Sequence, residues 1–475
     1  MKKQLAFAAL ALTVAALACD PVLAASPDAP AVDGRHLGLA WMLPFAGILL
    51  SIAILPLAVP SFWHHHFGKV SAAWSLLVII PFAVFHGVPT ATYEILHLLL
   101  LDYIPFIVLL LALFTVTGGI HIKGNLHGSP SMNTALLALG TVLAGWMGTT
   151  GASMLLIRTM IRANDDRRHK IHVFVFFIFL VSNIGGALTP LGDPPLFLGF
   201  LKGISFFWTT SHLFSEMLVC AIVLLALFYA VDSYWYRKEG CVAPDPTPDS
   251  PIRLEGGINI ILLAAIVGVV LASGTWNPGV HFTVFHVTLE LQHVLRDLAL
   301  AAICGLSLGL TARKLRRDNS FSWGPMAEVA KLFAGIFITI APAIAILKAG
   351  QNGALAPLVA LVTNPDGQPN DISYFWLTGI LSSLLDNAPT YLVFFNLAGG
   401  DPVALMGPLA STLAAISCGA VFMGANSYIG NAPNFMVKAV VEEASIRMPS
   451  FFGYMAWSCS ILVPLFILLT LIFFR

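Results

Sequence analysis

The chain has 475 residues, of which 58% are hydrophobic and 10% charged, and its 24 basic and 24 acidic side chains give a formal net charge of +0. That much apolar surface exceeds what a water-soluble core can hide and places the chain in a lipid bilayer. A neutral balance with no basic tract interleaved with aromatics excludes a nucleic-acid partner.

Residues 1–25 carry two lysines, then an apolar run, then small residues suited to cleavage after Ala24 or Ala25. This reads as a secretory signal peptide; the alternative is an uncleaved first membrane helix, for which the run is short against the roughly 20 residues a span needs. Apolar segments follow near 37–60, 70–88, 96–117, 133–160, 171–203, 210–231, 258–274, 297–311, 329–348, 372–398, 403–440 and 453–474. Basic residues cluster at Arg158 to Lys170, at Arg237 and Lys238, and at Arg313 to Arg317. Such clusters mark cytoplasmic loops. All three fall inside if the N-terminus is periplasmic and 133–160 and 372–398 are re-entrant hairpins, the first opening to the cytoplasm and the second to the periplasm. The fold class expected is therefore all-α and polytopic, with about ten transmembrane helices in two inverted repeats, in the bacterial inner membrane.

Residues 240–257, rich in Pro, Asp and Gly, read as the linker between a first transport repeat at 37–239 and a second at 258–475. His64, His65 and His66, and His281, His286 and His293 in the loop expected at 275–295, are too irregularly spaced for a metal site and read as solvated or interfacial. The six cysteines are scattered singly and read as packing residues.

Two motif pairs recur in the same order. Gly148 to Arg158 precedes Ser182 to Phe197, and Leu385 to Phe395 precedes Gly424 to Phe435. Aligning Thr149 with Asp386 gives an offset of 386 − 149 = 237, and aligning Gly192 with Gly430 gives 430 − 192 = 238. The prolines and glycines there, Pro190, Pro194, Pro195 and Pro433 among them, interrupt helices. Unwound backbone inside a membrane is tolerated where it is buried in protein or lines a wet cavity, and it offers carbonyls to a cation. The polar groups at the breaks are Ser182, Asn183, Thr189 and Asp193, then Ser382, Ser383, Asp386, Asn387 and Thr390, then Asn426, Ser427, Asn431 and Asn434, with Thr149 and Thr150 at the first hairpin. Hard oxygen ligands of this kind suit sodium or lithium, and an intramembrane carboxylate can take a proton instead. Asp386 is the leading coupling carboxylate. For Asp193, between Gly192 and Pro194, ion binding and capping of the next half-helix are open alternatives. Glu94 and His97, one turn apart, are either a proton relay or a salt bridge facing water.

These residues resemble the ion-transporter superfamily that contains NhaD-type sodium/proton antiporters, arsenite permeases and citrate or dicarboxylate carriers. The resemblance is strongest at Tyr103 to Ile120, at SNIGGALTPLGDPP and at DNAPT, and it is closest to a citrate-transporter branch often labelled sodium/proton antiporter. It implies two inverted repeats, each with a re-entrant hairpin and an unwound helix, assembled as a homodimer. Carried over residue by residue, Asp386 and Asn387 match the Asp-Asn of the second hairpin, and Asn183, Asp193, Asn426 and Asn431 the unwound-helix positions. Where such antiporters often carry a second Asp-Asn pair, this chain reads Thr149-Thr150.

The expected function is a sodium or lithium/proton antiporter working by alternating access, with no cofactor and no transition metal; sodium or the proton is the coupling ion. The alternative is a cation-coupled citrate or dicarboxylate carrier. That carrier would want cationic groups at the site, yet Lys202 and Lys438 lie beyond the breaks. No nucleophile with an adjacent base, HExxH or phosphate loop supports an enzyme. Partners are the lipid bilayer and small ions or a carboxylate.

Overall fold

The computed structural model describes residues 30–240, 250–319 and 321–475, so the expected signal peptide and residues 241–249 of the expected linker lie outside the described residues. Among the described residues, eight helices are long and apolar enough to cross a membrane, and two shorter apolar stretches, 171–187 and 410–426, lead into helix breaks.

The first half opens with α1 (Leu43–Ala58), α2 (Pro60–His86), α3 (Val88–Leu98) and α4 (Ile104–Thr117), α3 and α4 forming one span through a π-turn at Leu99–Tyr103. After strand β1 (His121–Asn125) come the hairpin arms α5 (Pro130–Met147) and α6 (Thr149–Ala163). The broken helix α7 (Ile171–Leu180) and α8 (Pro194–Leu201) follows, then the long α9 (Phe206–Glu239). The second half repeats this order. Strand β2 (Ser250–Glu255) leads to α10 (Ile258–Thr275), the hairpin β3 (His281–Val284) and β4 (Val287–Glu290), α11 (Leu291–Leu310), the short α12 (Arg313–Asp318) and α13 (Gly324–Lys348). After α14 (Ala356–Leu361) come the hairpin arms α15 (Asp371–Leu384) and α16 (Asn387–Leu397), then α17 (Pro402–Met406). The broken helix α18 (Ala410–Met423) and α19 (Ala432–Glu443) and the closing α20 (Phe451–Phe473) end the chain.

The protein is all-α and polytopic. If the broken helices cross as well, each half makes five crossings, an odd number, and the second half starts on the opposite side from the first.

Two layers follow from which helices are apolar all round. Every residue of α7, IHVFVFFIFL, is buried except Ile171, as a helix with no polar face must be when it sits inside protein. α16 is buried throughout. By contrast α2, α10 and α11 leave much of their apolar surface exposed, where lipid would cover it. The hairpins, the broken helices, α9 and α20 form a core; α1–α4 and α10–α13 form a frame beside it. Packing is exchanged between halves: α2 lies against α13 and α4 against α11 in the frame, while α6 lies against α19 and α16 against α8 in the core.

Three sequence expectations change. Residues 60–69 are helical, because Pro60 starts α2 directly after α1, so His64, His65 and His66 sit on its first turns, where His65 and His66 bond the carbonyls of Ser61 and Phe62. Part of the expected linker is a strand: β2 pairs antiparallel with β1, and Lys123 meets Glu255 at 2.7 Å. The Lys123 ammonium holds that exposed carboxyl below its usual range. Residues 281–290, expected as a loop, make a hairpin whose turn at Phe285 and His286 is left-handed (φ 46° and 65°), while His293 begins α11.

The basic clusters gather at one face. Arg167, between the first hairpin and α7, donates to Asp232 at 2.8 Å and to Glu239 at 2.9 Å on α9, and the Arg167 and Asp232 side chains are 0% exposed. His172 also reaches Asp232 at 2.8 Å, and Asn133 donates to it at 3.0 Å. Arg316 donates to the Thr115 carbonyl near the end of α4. Removing one partner of a buried pair strands the other charge, so Asp232→Leu should lower stability by about 3–5 kcal/mol, read as a fall in the melting temperature in detergent. Lys123→Ala, at an exposed pair, should leave that melting curve in place. Single cysteines at residues 125 and 400 should label from opposite faces of the membrane.

Candidate functional site

The helix breaks bring residues from both halves to one buried point. α7 ends at Leu180, a 3-10 turn covers Ile184–Ala187, and the chain turns back to start α8 at Pro194 with Asp193 in the N-cap position. In the other half α18 ends at Met423, a 3-10 turn covers Gly424–Asn426, and α19 starts at Ala432 behind Asn431. Both turns close on glycine because the backbone folds against itself. A Cβ on Gly192 would lie 2.2 Å from the Gly186 carbonyl oxygen, and one on Gly430 would lie 2.5 Å from that of Gly424. The two contacts are offset from one another by 238 residues, 430 − 192 and 424 − 186.

That offset also holds at the hairpins. α6 starts at Thr149 behind Gly148, and α16 at Asn387 behind Asp386. By helix starts, Thr149 matches Asn387 and Asp386 matches Gly148, one residue from the motif alignment of Thr149 with Asp386. Asp193 correspondingly matches Asn431.

These four matched residues meet. Asp193 is 1% exposed. Its Oδ1 accepts from the Thr149 hydroxyl and from Asn431 Nδ2, each at 3.0 Å, and its Oδ2 accepts from Asn387 Nδ2 at 2.5 Å. The exchanged packing of α16 on α8 is what lets a second-hairpin amide reach a first-half carboxylate. A wider shell of amides holds the breaks. Asn431 Nδ2 also donates to the Ser182 carbonyl and to Asn183 Oδ1; Asn183 Nδ2 donates to Asn434 Oδ1 at 2.7 Å and to the Ile178 carbonyl. Asn434 returns to the carbonyls of Gly424 and Ser427, both at 2.9 Å. Ser182 bonds Ser153 across to α6 at 2.9 Å.

The two aspartates have different jobs locally. Asp386 Oδ1 accepts from the Ala388 amide at 3.1 Å and so caps α16, whereas the Asp193 side chain makes no capping bond to α8. Capping therefore belongs to Asp386, and Asp193 spends its carboxylate on donors from three other elements. Ser383 accepts from Asn426 Nδ2 at 2.9 Å, and Ser427 donates to the Ser383 carbonyl at 2.6 Å, tying the second break to its own hairpin. Among the described residues Thr150 makes no side-chain hydrogen bond. Glu94 and His97 are not brought to this point: Glu94 accepts from the Val32 amide at 3.0 Å, and His97 rests on the Tyr93 ring.

The donors around Asp193 are amide and hydroxyl groups, with no lysine or arginine among them. Oδ1 of Asn387, on the amide that donates to Asp193, and Oδ1 of Asn426, on the amide that donates to Ser383, are buried with no hydrogen-bond partner among the described residues. An orphaned acceptor oxygen beside a carboxylate, as at Asn387, is what a small hard cation coordinates. Asn434 was readable as part of the second motif, but its bond to Asn183 was not. Asp102 and Asp232, single acids in apolar runs, carried the signal of an intramembrane ionisable residue.

Broken helices crossing near one another in a multi-pass membrane protein, with polar groups converging at the breaks, define a membrane transporter. The chain belongs to the family described as "Putative citrate transport", whose profile matches residues 34–474. It is 26% identical over 327 residues to an uncharacterized transporter of Mycobacterium tuberculosis, covering 67% of this chain and 71% of the relative. A 46 kDa membrane protein of Mycobacterium leprae is 25% identical over the same shares.

Packing at the breaks gives a direct check. Gly430→Ala, whose Cβ would also meet the Ser382 carbonyl oxygen at 2.7 Å, should abolish transport while the protein still inserts in the membrane. Gly268→Ala, on a lipid-side helix where a Cβ meets nothing within 4 Å, should transport as wild type.

Proposed function

We propose that the protein is a sodium or lithium/proton antiporter working by alternating access, with Asp193 as the carboxylate at which cation and proton compete. The observation that supports it is a buried carboxylate ringed by neutral donors, one of which, Asn387, carries an orphaned amide oxygen. A carboxylate left charged in a low-dielectric interior is costly unless a cation or proton joins it. Each ion satisfies that need, and they exclude one another. Asp386 stands one residue before Asn387, so its charge adds to the field at the site and draws a cation toward it.

The second reading, a cation-coupled carrier of citrate or a similar carboxylate, is favoured by the family's description. On it, the amides of Asn183, Asn431 and Asn434 and the N-terminal ends of α8 and α19 would face the anion. The missing counter-charge is its difficulty, because a tricarboxylate among neutral donors would bring several charges to a site that already holds one.

Proteoliposomes separate the two. Sodium or lithium alone should drive proton movement, with the sodium concentration required rising as pH falls, because protons win the shared carboxylate. Proton movement that needs citrate would overturn antiport in favour of the carrier. Asp193→Asn should lower antiport roughly 100-fold or more, in line with loss of a buried charge partner. Asparagine caps helices about as well as aspartate, so Asp386→Asn removes charge while keeping the start of α16; weaker sodium affinity with an intact fold is the expected result.

A further inference from the structure

Asp102 sits where the chain leaves regular helix, in the π-turn Leu99–Tyr103 between α3 and α4. Such turns recur at functional positions because the extra residue re-aims side chains. Asp102 is 1% exposed within an apolar run, and its Oδ2 accepts from Lys202 Nζ at 2.6 Å. Its Oδ1 is buried with no hydrogen-bond partner among the described residues. Lys202 is the residue that closes α8, the half-helix that begins behind Asp193. An ammonium there complements the negative end of the helix. With eight residues α8 is about 12 Å long at 1.5 Å per residue, so it works as a short rod from the polar cluster to this ion pair.

Of the ion pairs between described residues, Lys202–Asp102 is the one that joins core to frame. The boundary beside it is mostly apolar contact, as where Leu113 and Thr117 of α4 meet Gly148 and Gly151 of the first hairpin. Strand β4 packs against α3 and the π-turn, and the pair lies at the face away from the basic clusters. The other titratable groups whose charges act here are Glu94 and His97 on α3 and Lys348 at the end of α13.

Resting on the alternating-access reading, we propose that Lys202 is a tethered cation latching core to frame at Asp102. When the core withdraws it, Asp102 takes up a small monovalent cation, a proton or sodium, from the solution at that face. The reason is electrostatic. Moving α8 relative to α4 without replacement would leave a buried carboxylate unpaired, which costs more than most conformational steps can supply.

The test uses the full chain in proteoliposomes, with sodium binding to purified protein measured separately. Asp102→Asn and Lys202→Met should each slow transport roughly ten-fold or more, as expected for stranding one buried charge, while sodium binding at the core stays within two-fold of wild type. The double variant, with no charge left to strand, should transport faster than either single one. The ion is named by the part of the wild-type dependence at that face that Asp102→Asn lacks: a lost dependence on pH at fixed sodium assigns a proton to Asp102, and a lost dependence on sodium at fixed pH assigns sodium. The competition at Asp193 should remain in Asp102→Asn. Single variants at wild-type rate, a double variant no faster than the slower single one, or loss of core sodium binding in Asp102→Asn would overturn the latch. Failure of the Asp193 reading would appear separately, as absence of sodium binding in the wild type.

Discussion

A carboxylate held out of water by protein, in a segment that has lost its own helical hydrogen bonds, needs donors from elsewhere, and the architecture around Asp193 follows from supplying them. The donors come from a hairpin tip of its own half, a hairpin tip of the other half and the matching break of the other half. Meeting that requirement forces the second arm of each hairpin to lie against the broken helix of the opposite half. The glycines that let the turns close, and the amide shell from Asn183 to Asn434, are consequences of bringing two unwound strands of backbone this close.

The same constraint orders the layers. Helices that carry the breaks must be wrapped in protein, which is why α7 and α16 are apolar on every side and buried. The frame meets lipid and tolerates a regular, one-sided pattern. Polar connection between the layers is sparse. Arg162 donates to the Ile122 carbonyl at one end and Lys202 to Asp102 at the other, leaving a mostly apolar boundary in between.

Much of this was legible in the sequence because it is written in local patterns. Apolar length sets spans, proline and glycine set breaks, and duplicated motifs set the offset, so the hairpins and broken helices fall where the spacing puts them. What the sequence withheld depends on tertiary exchange. Nothing near Asp193 announces that its partners are Asn387 and Asn431, and nothing near Asp386 announces that its nearest task is to cap α16. Sequence reasoning ranked Asp386 first because its Asp-Asn pair looks like a site. The contacts place the denser polar cluster on Asp193. The misplaced ends of α2 and the strand at 250–255 have simpler causes: histidines and a prolyl start do not stop a helix, and a charged strand paired at its edge carries no apolar alternation.

The exchanged contacts also bear on how the protein is made. Asp193 leaves the ribosome 194 residues before Asn387 and 238 before Asn431. During that interval the first half has only the Thr149 hydroxyl, of the three donors, to offer Asp193, and the hairpin has no opposite broken helix to lean on. The nascent first half must therefore shelter its polar turn some other way, in water at the membrane surface or against the insertion machinery. The hairpin tips reach their final depth only when the second half arrives.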